Sequence, residues 1–525
     1  MSIHESKVNK SIDYIQIVML GLLALLFVSE LVLSLNWRMQ HDTPLSHYSA
    51  FLINEHGCVP YKDIFETSFV GTFLFHSAIC SLFGYGDFAF RLVDIVYLLV
   101  LLGVTWFLMR PLGKFVALTS ILLFGVLYFS FGSAMSLQRE YIAVLPVAAA
   151  TLLATKGLGF RRMEIKALVI GALFALSASI KPPLVIGMPA IIIYMSFSNS
   201  EKNRSKTSLW KQLFKLCLFA TLGFISVLAL PFLWLWKKGG LTYFWEMATS
   251  YLPLHLHLTG KHFVISGVQR WNYLFQKYRE FGGMQGLFIP ICLGMYLAFT
   301  SYKKDTPKRK LVILLFALLC LYSIYPVFAG QFWDYHWIPF IYFGCLCASL
   351  IMLPIASASS PLYKRMIPLI GFVILLLTTI HYAPDFRLQI SGHPPAPPKE
   401  GRVDEIANYL KEHLRPGDKV QPLDWTGGVI HGMLISEAVI ATPYIHDYYF
   451  YHHVSHPYIR ELRRRFIKRL KEEKPRYIIY MAATQRPRGE DTSRRFPKLF
   501  ELIDKNYSIA YEGNKFTIYE IKNLY

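Results

Sequence analysis

Uninterrupted apolar runs dominate this sequence and leave few folds open to it. The run at 14–35 and several later ones reach or exceed the roughly 20 residues that cross a bilayer as a helix. No water inside a membrane satisfies backbone polar groups, so such runs are confined to helices. Candidate spans fall at 14–35, 88–109, 115–132, 136–155, 165–180, 183–198, 212–236, 284–300, 311–329, 336–357 and 363–382, about eleven by the hydropathy rule. Lys7 and Lys10 precede the first run, which is too long for a signal-peptide core and ends in LNWRMQ. It reads as a retained anchor. The two short runs around SIKPPLVIG also admit a reading as one interrupted hairpin, because Pro182 and Pro183 cannot continue a helix and Lys181 is costly at mid-bilayer.

Orientation follows from the basic residues. With the N-terminus inside, Arg110/Lys114, Lys156/Arg161/Arg162/Lys166, Lys202/Arg204/Lys206/Lys211, Lys303/Lys304/Lys308/Arg309/Lys310 and Lys364/Arg365 all fall on the cytoplasmic side. Every alternate loop obeys the positive-inside rule. The expected localisation is a multi-pass protein of the inner (plasma) membrane. Facing outward are then the long 38–86 loop, the turn before QRE at 138–140, the tip at Lys181, the 237–283 segment, the QFWDYHW turn, and everything after His381.

After the last span, SGHPPAPPKEGR (391–402) has the prolines of an extended spacer. The remaining chain alternates helical and strand patterns: VDEIANYLKEHL, KVQPLDW, GGVIHGML, PYIRELRRRFIKRLKEE, RYIIYM, FPKLFELIDKN, YSIAYEG and KFTIYEI. The expected class is therefore an α-helical polytopic membrane protein of about eleven spans with a long first outer loop, plus a small C-terminal α/β extracytoplasmic domain. Its parts are a membrane domain at 1–383, a Pro-rich linker at 384–402 and the outer domain at 403–525. The net charge of +20 does not point to nucleic acid. Its residues cluster between apolar runs and on one C-terminal helix without an interleaved aromatic platform, which suits membrane lipids or a solvated face. Seven cysteines, mostly inside apolar runs, form neither a disulfide framework nor a zinc motif.

Polar residues gather at the outer ends of the spans. A transporter concentrates them near the midplane on broken helices instead; that reading and a non-catalytic envelope assembly protein remain the alternatives. The first loop holds His41, Asp42, Lys62, Asp63 and Glu66, and later outer ends add Arg139, Glu140, Lys181 and His336. Arg91 and Asp94, three apart on the second span, suit an ion pair that fixes packing. Asp42-Thr43-Pro44 also suits a helix N-cap.

Four stretches in order, HDTPLSHYSAFLINEHGCVPYKDIFETSFVG with the following FGYGDFAFR, SLQREYIAVLP, SIKPPLVIGMP and DYHWIPFI, resemble the polytopic C-fold membrane glycosyltransferases, especially the branch of protein O-mannosyltransferases and aminoarabinose lipid A transferases. The resemblance covers roughly 14–350. It implies transfer of a sugar, with inversion, from a polyprenyl-phosphate donor to a hydroxyl of a lipid, glycan or protein acceptor at the outer face. It further implies Asp42 as the base that takes the acceptor proton. Glu66 and Glu140 become acceptor-orienting groups or ligands of a divalent ion such as Mg²⁺ or Mn²⁺. Arg139, Lys181 and Lys62 become the cations for the donor phosphate, with His41, Asp63, Arg91 and His336 as candidate substrate contacts. The family often carries lysine and proline after the loop glutamate, whereas this chain has Thr67-Ser68-Phe69. HDYYFYHHVSH at 446–456 is placed, by composition, near the mouth of the site.

Overall fold

The computed structural model describes residues 3–156, 162–198, 206–259, 262–280, 285–303, 306–330, 332–353, 362–381, 398–482 and 484–522. It is mainly helical, and the described residues of the expected apolar runs lie largely in helices. Six segments are long and apolar enough to cross a membrane: Gln16–Asn36, Asp87–Leu112, Met163–Ile180, Leu209–Lys237, Pro307–Ala329 and Asp334–Met352. Shorter apolar helices, among them Lys114–Ser130 and Phe288–Ser301, fill the spaces between them. Leu222, Ile225, Leu230 and Leu233 are exposed on one helix, as expected of a surface solvated by lipid tails.

Packing inside the bundle depends on small residues. A Cβ on Gly171 would lie 1.9 Å from the Ala220 carbonyl oxygen, and one on Gly223 would lie 1.9 Å from that of Leu168. The helices Met163–Ile180 and Lys206–Lys237 therefore touch backbone to backbone, an approach that glycine allows. At the far end of the first of these, Lys181 is extended and Pro182–Gly187 forms a 3-10 turn before the helix Met188–Ser198. The two prolines thus break the run where their missing N–H groups require.

The basic loops meet at one end of the bundle. The Tyr302 hydroxyl donates to the Leu112 carbonyl at 3.2 Å, Arg309 to the Phe299 and Tyr302 carbonyls, and Lys310 to that of Phe197. Lys166 donates to the carbonyls of Ala154 and Lys156, and Lys215 pairs with Glu164. Arg161, Lys202, Arg204 and Lys304 lie outside the described residues, as do residues 382–397 of the linker region.

The other end carries the first loop and the C-terminal unit. Two helices form in the loop. Thr43–His56 has Pro44 in its first turn and stops at Gly57, whose left-handed φ of 65° lets its N–H return to the Leu52 carbonyl. Val70–Phe83 is apolar but has only 14 residues. The C-terminal unit is a five-stranded sheet of β1 (Lys419–Leu423), β2 (Val439–Ile440), β3 (Tyr477–Met481), β4 (Tyr507–Gly513) and β5 (Phe516–Ile521). Its order is β2-β1-β3-β5-β4, parallel through the first three and antiparallel through the last two. Helices Arg402–His413, Val429–Ile435, Pro457–Glu473 and Pro497–Asn506 accompany it.

This unit is fastened to the loop by buried and half-buried polar contacts. Tyr48 Oη donates to the Ala438 carbonyl at 2.7 Å, and the Phe65 amide to that of Pro443 at 2.7 Å. Asp87 holds Arg38 at 2.7 Å and lies 3.0 Å from His431 Nε2, while Arg38 also reaches Asp404. Such fixed contacts bring sheet-domain residues to the first loop.

Candidate active site

Asp42 stands at the N-cap position of Thr43–His56, and its carbonyl accepts from the Ser46 amide at 3.1 Å. Its carboxylate makes no hydrogen bond to the helix. Oδ1 lies 3.0 Å from His41 Nδ1 and Oδ2 lies 3.6 Å from Arg139 Nη2. The side chain faces a cavity that is also lined by Glu66, Ser68 and Arg139.

A network on the neighbouring span fixes the distance between Asp42 and Arg139. Arg91 is buried, donates to Asp94, Ser34 and Ser136, and lies over the Trp37 ring. Asp94 accepts from the Leu137 amide at 3.1 Å and from Tyr128. Leu137 adopts a positive φ of 47°, a costly conformation for a branched residue, and these contacts hold it there. Thr43 Oγ1 then donates to the Ser136 carbonyl, tying the start of the Asp42 helix to the turn that delivers Arg139. Arg91 thus acts on packing and does not line the cavity.

Glu66 occupies the opposite wall. Its Oε1 accepts from the Thr67 amide and hydroxyl at 2.8 and 3.0 Å; Oε2 accepts from Tyr449 Oη at 3.0 Å and lies 3.1 Å from His446 Nε2. Glu140 is fully buried, with Oε1 held by Lys181 Nζ at 2.8 Å and Tyr325 Oη at 2.7 Å, and 3.4 Å from His336 Nε2. Arg139, Glu140, Lys181 and His336 therefore form one charged cluster beside the cavity. Lys62 is exposed and lines a different groove, and Asp63 closes a turn by accepting from the Val59 amide at 2.9 Å. Neither reaches the Asp42 cavity.

The rest of the wall comes from distant sequence. Trp333 and Tyr335 follow Pro307–Ala329, His255 comes from the 237–283 segment, and Trp425, His446, Tyr448 and Tyr449 come from the sheet domain. The rings of Trp333, Tyr335 and Trp425 surround His41 at 6.2–6.4 Å. The aromatic, histidine-rich run at 446–456 does supply cavity residues. Trp425 sits one residue past Asp424 at the end of β1, and no local pattern in the sequence marks it.

The charges of the cavity reinforce one another. Burial by itself would raise the Asp42 pKa, but the His41 and Arg139 charges outweigh it and hold the carboxyl below the usual carboxylate range. Burial disfavours the His41 imidazolium, yet Asp42 overcomes that and raises its pKa. For Glu66, burial is again opposed, by the His446 hydrogen bond and charge and by Arg139, and the carboxyl falls to about 2. Both loop carboxylates are anions at neutral pH.

Glu66 offers no free oxygen to a divalent ion, whereas Glu140 Oε2 is buried without a hydrogen-bond partner among the described residues. Glu66 spends both oxygens on protein donors, and Glu140 Oε1 is held by an ammonium and a phenol. Among the described residues no three His, Cys, Asp or Glu side chains converge as a metal site.

Residues 70–229 match the family of dolichyl-phosphate-mannose-protein mannosyltransferases. No curated protein matches the sequence. Among solved structures, ArnT from Cupriavidus metallidurans bound to undecaprenyl phosphate aligns with a TM-score of 0.57 and 10% identity, over 96% of this chain and 97% of that one. Its apo form aligns at 0.55 and 11% identity, over 94% and 97%. The oligosaccharyltransferase AglB from Archaeoglobus fulgidus, in complex with an inhibitory peptide and a dolichol-phosphate, aligns at 0.48 and 12% identity, over 90% of this chain and 70% of that one. The ArnT likeness at such low identity establishes a shared fold.

Proposed function

We propose that this chain, which has the C fold and a mannosyltransferase-like segment at 70–229, is a membrane glycosyltransferase that moves a sugar from a polyprenyl phosphate to an acceptor hydroxyl. The observation that carries the reading is a half-buried carboxylate, Asp42, left uncapped and facing a cavity beside Arg139. In the transfer, the acceptor oxygen attacks the anomeric carbon while Asp42 takes its proton. The bond from that carbon to the phosphate oxygen breaks, the electron pair leaves with polyprenyl phosphate, and the sugar is inverted. Arg139, with Lys181 behind it, balances the charge that grows on the leaving phosphate. Glu66, fixed by Thr67, Tyr449 and His446, orients the acceptor, and the Trp333, Tyr335 and Trp425 rings offer apolar faces to a sugar.

The cavity measures about 50 Å³, well below the roughly 300–1,000 Å³ of a pocket that takes up a small-molecule ligand. Donor entry therefore requires its walls to part. The direct test incubates the protein in vesicles with undecaprenyl-phosphate-linked sugars from labelled membranes. Release of undecaprenyl phosphate with labelled product is expected; its absence with every donor sugar overturns the reading. A chelator arm belongs in the same experiment. Because Arg139 lines the cavity and Glu66 spends both oxygens on protein donors, transfer continues unchanged in excess EDTA. A loss restored by Mg²⁺ or Mn²⁺ would return Glu66 to an ion-binding role.

The site faces outward in this reading. Its support is the grouping of the basic loops at the end of the bundle opposite Asp42. In a background with the seven native cysteines replaced, a cysteine at Lys498 reacts with an impermeant maleimide in intact cells and one at Lys308 does not. The reverse pattern would move the site and the sheet domain to the cytoplasm.

A further inference from the structure

The basic helix Pro457–Glu473 has no part in the transfer chemistry, yet it forms one wall of a wide groove flanking the site. This groove, about 470 Å³, runs between that helix, the first loop at Lys62 and the short helix Leu241–Glu246. Five cationic side chains line it against three carboxylates. Arg464 is satisfied by Glu461 and Arg465 by Glu246 at 2.6 Å. Lys468 and Arg469 reach Glu472 only at 3.7 and 3.8 Å, and Lys62 makes no ion pair among the described residues. Cations on two facing walls, from separate parts of the chain, repel each other until an anion lies between them.

The depth of the groove identifies the source of that anion. Tyr243 contributes to its lining, Trp245 stands exposed on the same short helix, and Trp236 stands exposed at the end of the helix whose Leu230 and Leu233 face lipid. Trp and Tyr collect at the headgroup level of a bilayer. The mouth of the groove therefore lies where phosphates of membrane lipids lie, whereas a soluble anion would need no aromatic rim.

We propose that this groove binds the phosphate headgroup of an anionic membrane lipid, with Lys62 on one side and Lys468 and Arg469 on the other. The bound lipid ties the sheet domain to the bilayer and to the first loop. Phe65, which lines the groove, directly precedes Glu66 of the cavity, so the lipid sits one wall away from the site.

The test needs no transferase assay, so its failure leaves the proposed activity untouched. The full-length protein in detergent is titrated with phosphatidylglycerol or phosphatidylcholine and read by native mass spectrometry. A preference of roughly 10²-fold for phosphatidylglycerol is expected from three such cations. Combining Lys62→Gln, Lys468→Gln and Arg469→Gln, all at the surface, abolishes the preference while the unfolding midpoint is kept. In a separate variant, Glu472→Lys strengthens it. Equal binding of the two lipids, an unaltered preference in either variant, or displacement of the lipid by inorganic phosphate at matched concentration overturns the proposal.

Discussion

Arg139→Gln weakens binding of undecaprenyl phosphate by roughly 10²-fold, and kcat/KM falls at least as far. The guanidinium is mostly buried, with one nitrogen 3.3 Å from Ser68 Oγ and another 3.6 Å from Asp42. Of the candidate cations it alone lines the Asp42 cavity. Two charge-assisted hydrogen bonds to phosphate contribute about 1.5–3 kcal/mol each, and their joint loss, partly offset by glutamine's own donor, gives the figure. Glutamine also leaves Asp42 and Glu66 with less positive charge nearby, so their pKa values climb back toward the ordinary range. Arg139→Lys separates these effects: it keeps the charge, loses the planar fork, and falls between the parent and the glutamine variant. Titration of each variant with undecaprenyl phosphate, followed by tryptophan fluorescence from Trp333 and Trp425, gives the comparison. Parental affinity in Arg139→Gln would shift the phosphate to Lys181.

The membrane helices were legible because a bilayer enforces a simple rule on composition. Apolar runs became helices where expected, and the Lys181-Pro182-Pro183 break appears as an extended residue followed by a 3-10 turn. The helix Val70–Phe83 was hidden by its length: a 14-residue apolar stretch satisfies neither the span rule nor the look of a loop. Charged residues in so apolar a chain advertise themselves, which is how Asp42, Glu66, Arg139 and Glu140 could be picked out and how they come to share one neighbourhood. Lys62 and Asp63 advertised themselves equally, but a lysine next to a turn is free to point into solvent, and an aspartate there closes the turn. Spacing does not separate these cases. Trp425, Tyr448 and Tyr449 reach the cavity only because the sheet domain docks on the first loop through Tyr48, Phe65 and Asp87. That docking joins positions more than 300 residues apart, and no local pattern encodes it.

Asp42→Asn keeps the protein in the membrane, keeps donor binding, and slows transfer roughly 10²–10⁴-fold, the usual range for loss of a general base. Asparagine is as good an N-cap as aspartate, and the parent side chain makes no capping bond, so helix Thr43–His56 forms as before. Donor affinity holds or rises, because a carboxylate 3.6 Å from Arg139 competes with phosphate for the same guanidinium. The effect therefore falls on kcat and spares KM for the donor, the reverse of the Arg139→Gln pattern. The acid limb of the pH profile gives a second readout. Since His41 and Arg139 outweigh burial and hold the Asp42 carboxyl below the ordinary range, the base remains ionised as pH falls through about 4, and the parent loses activity there only if another group titrates. Raising the pH has a different effect: it deprotonates His41, whose pKa Asp42 has raised, and removes the cation that makes Asp42 a weak base. Transfer then accelerates with pH in the parent and stays flat in Asp42→Asn, in which no carboxylate remains to be relieved. A variant with parental turnover would leave Asp42 as the start of a helix and pass the role of base to Glu66, the other carboxylate that lines the cavity.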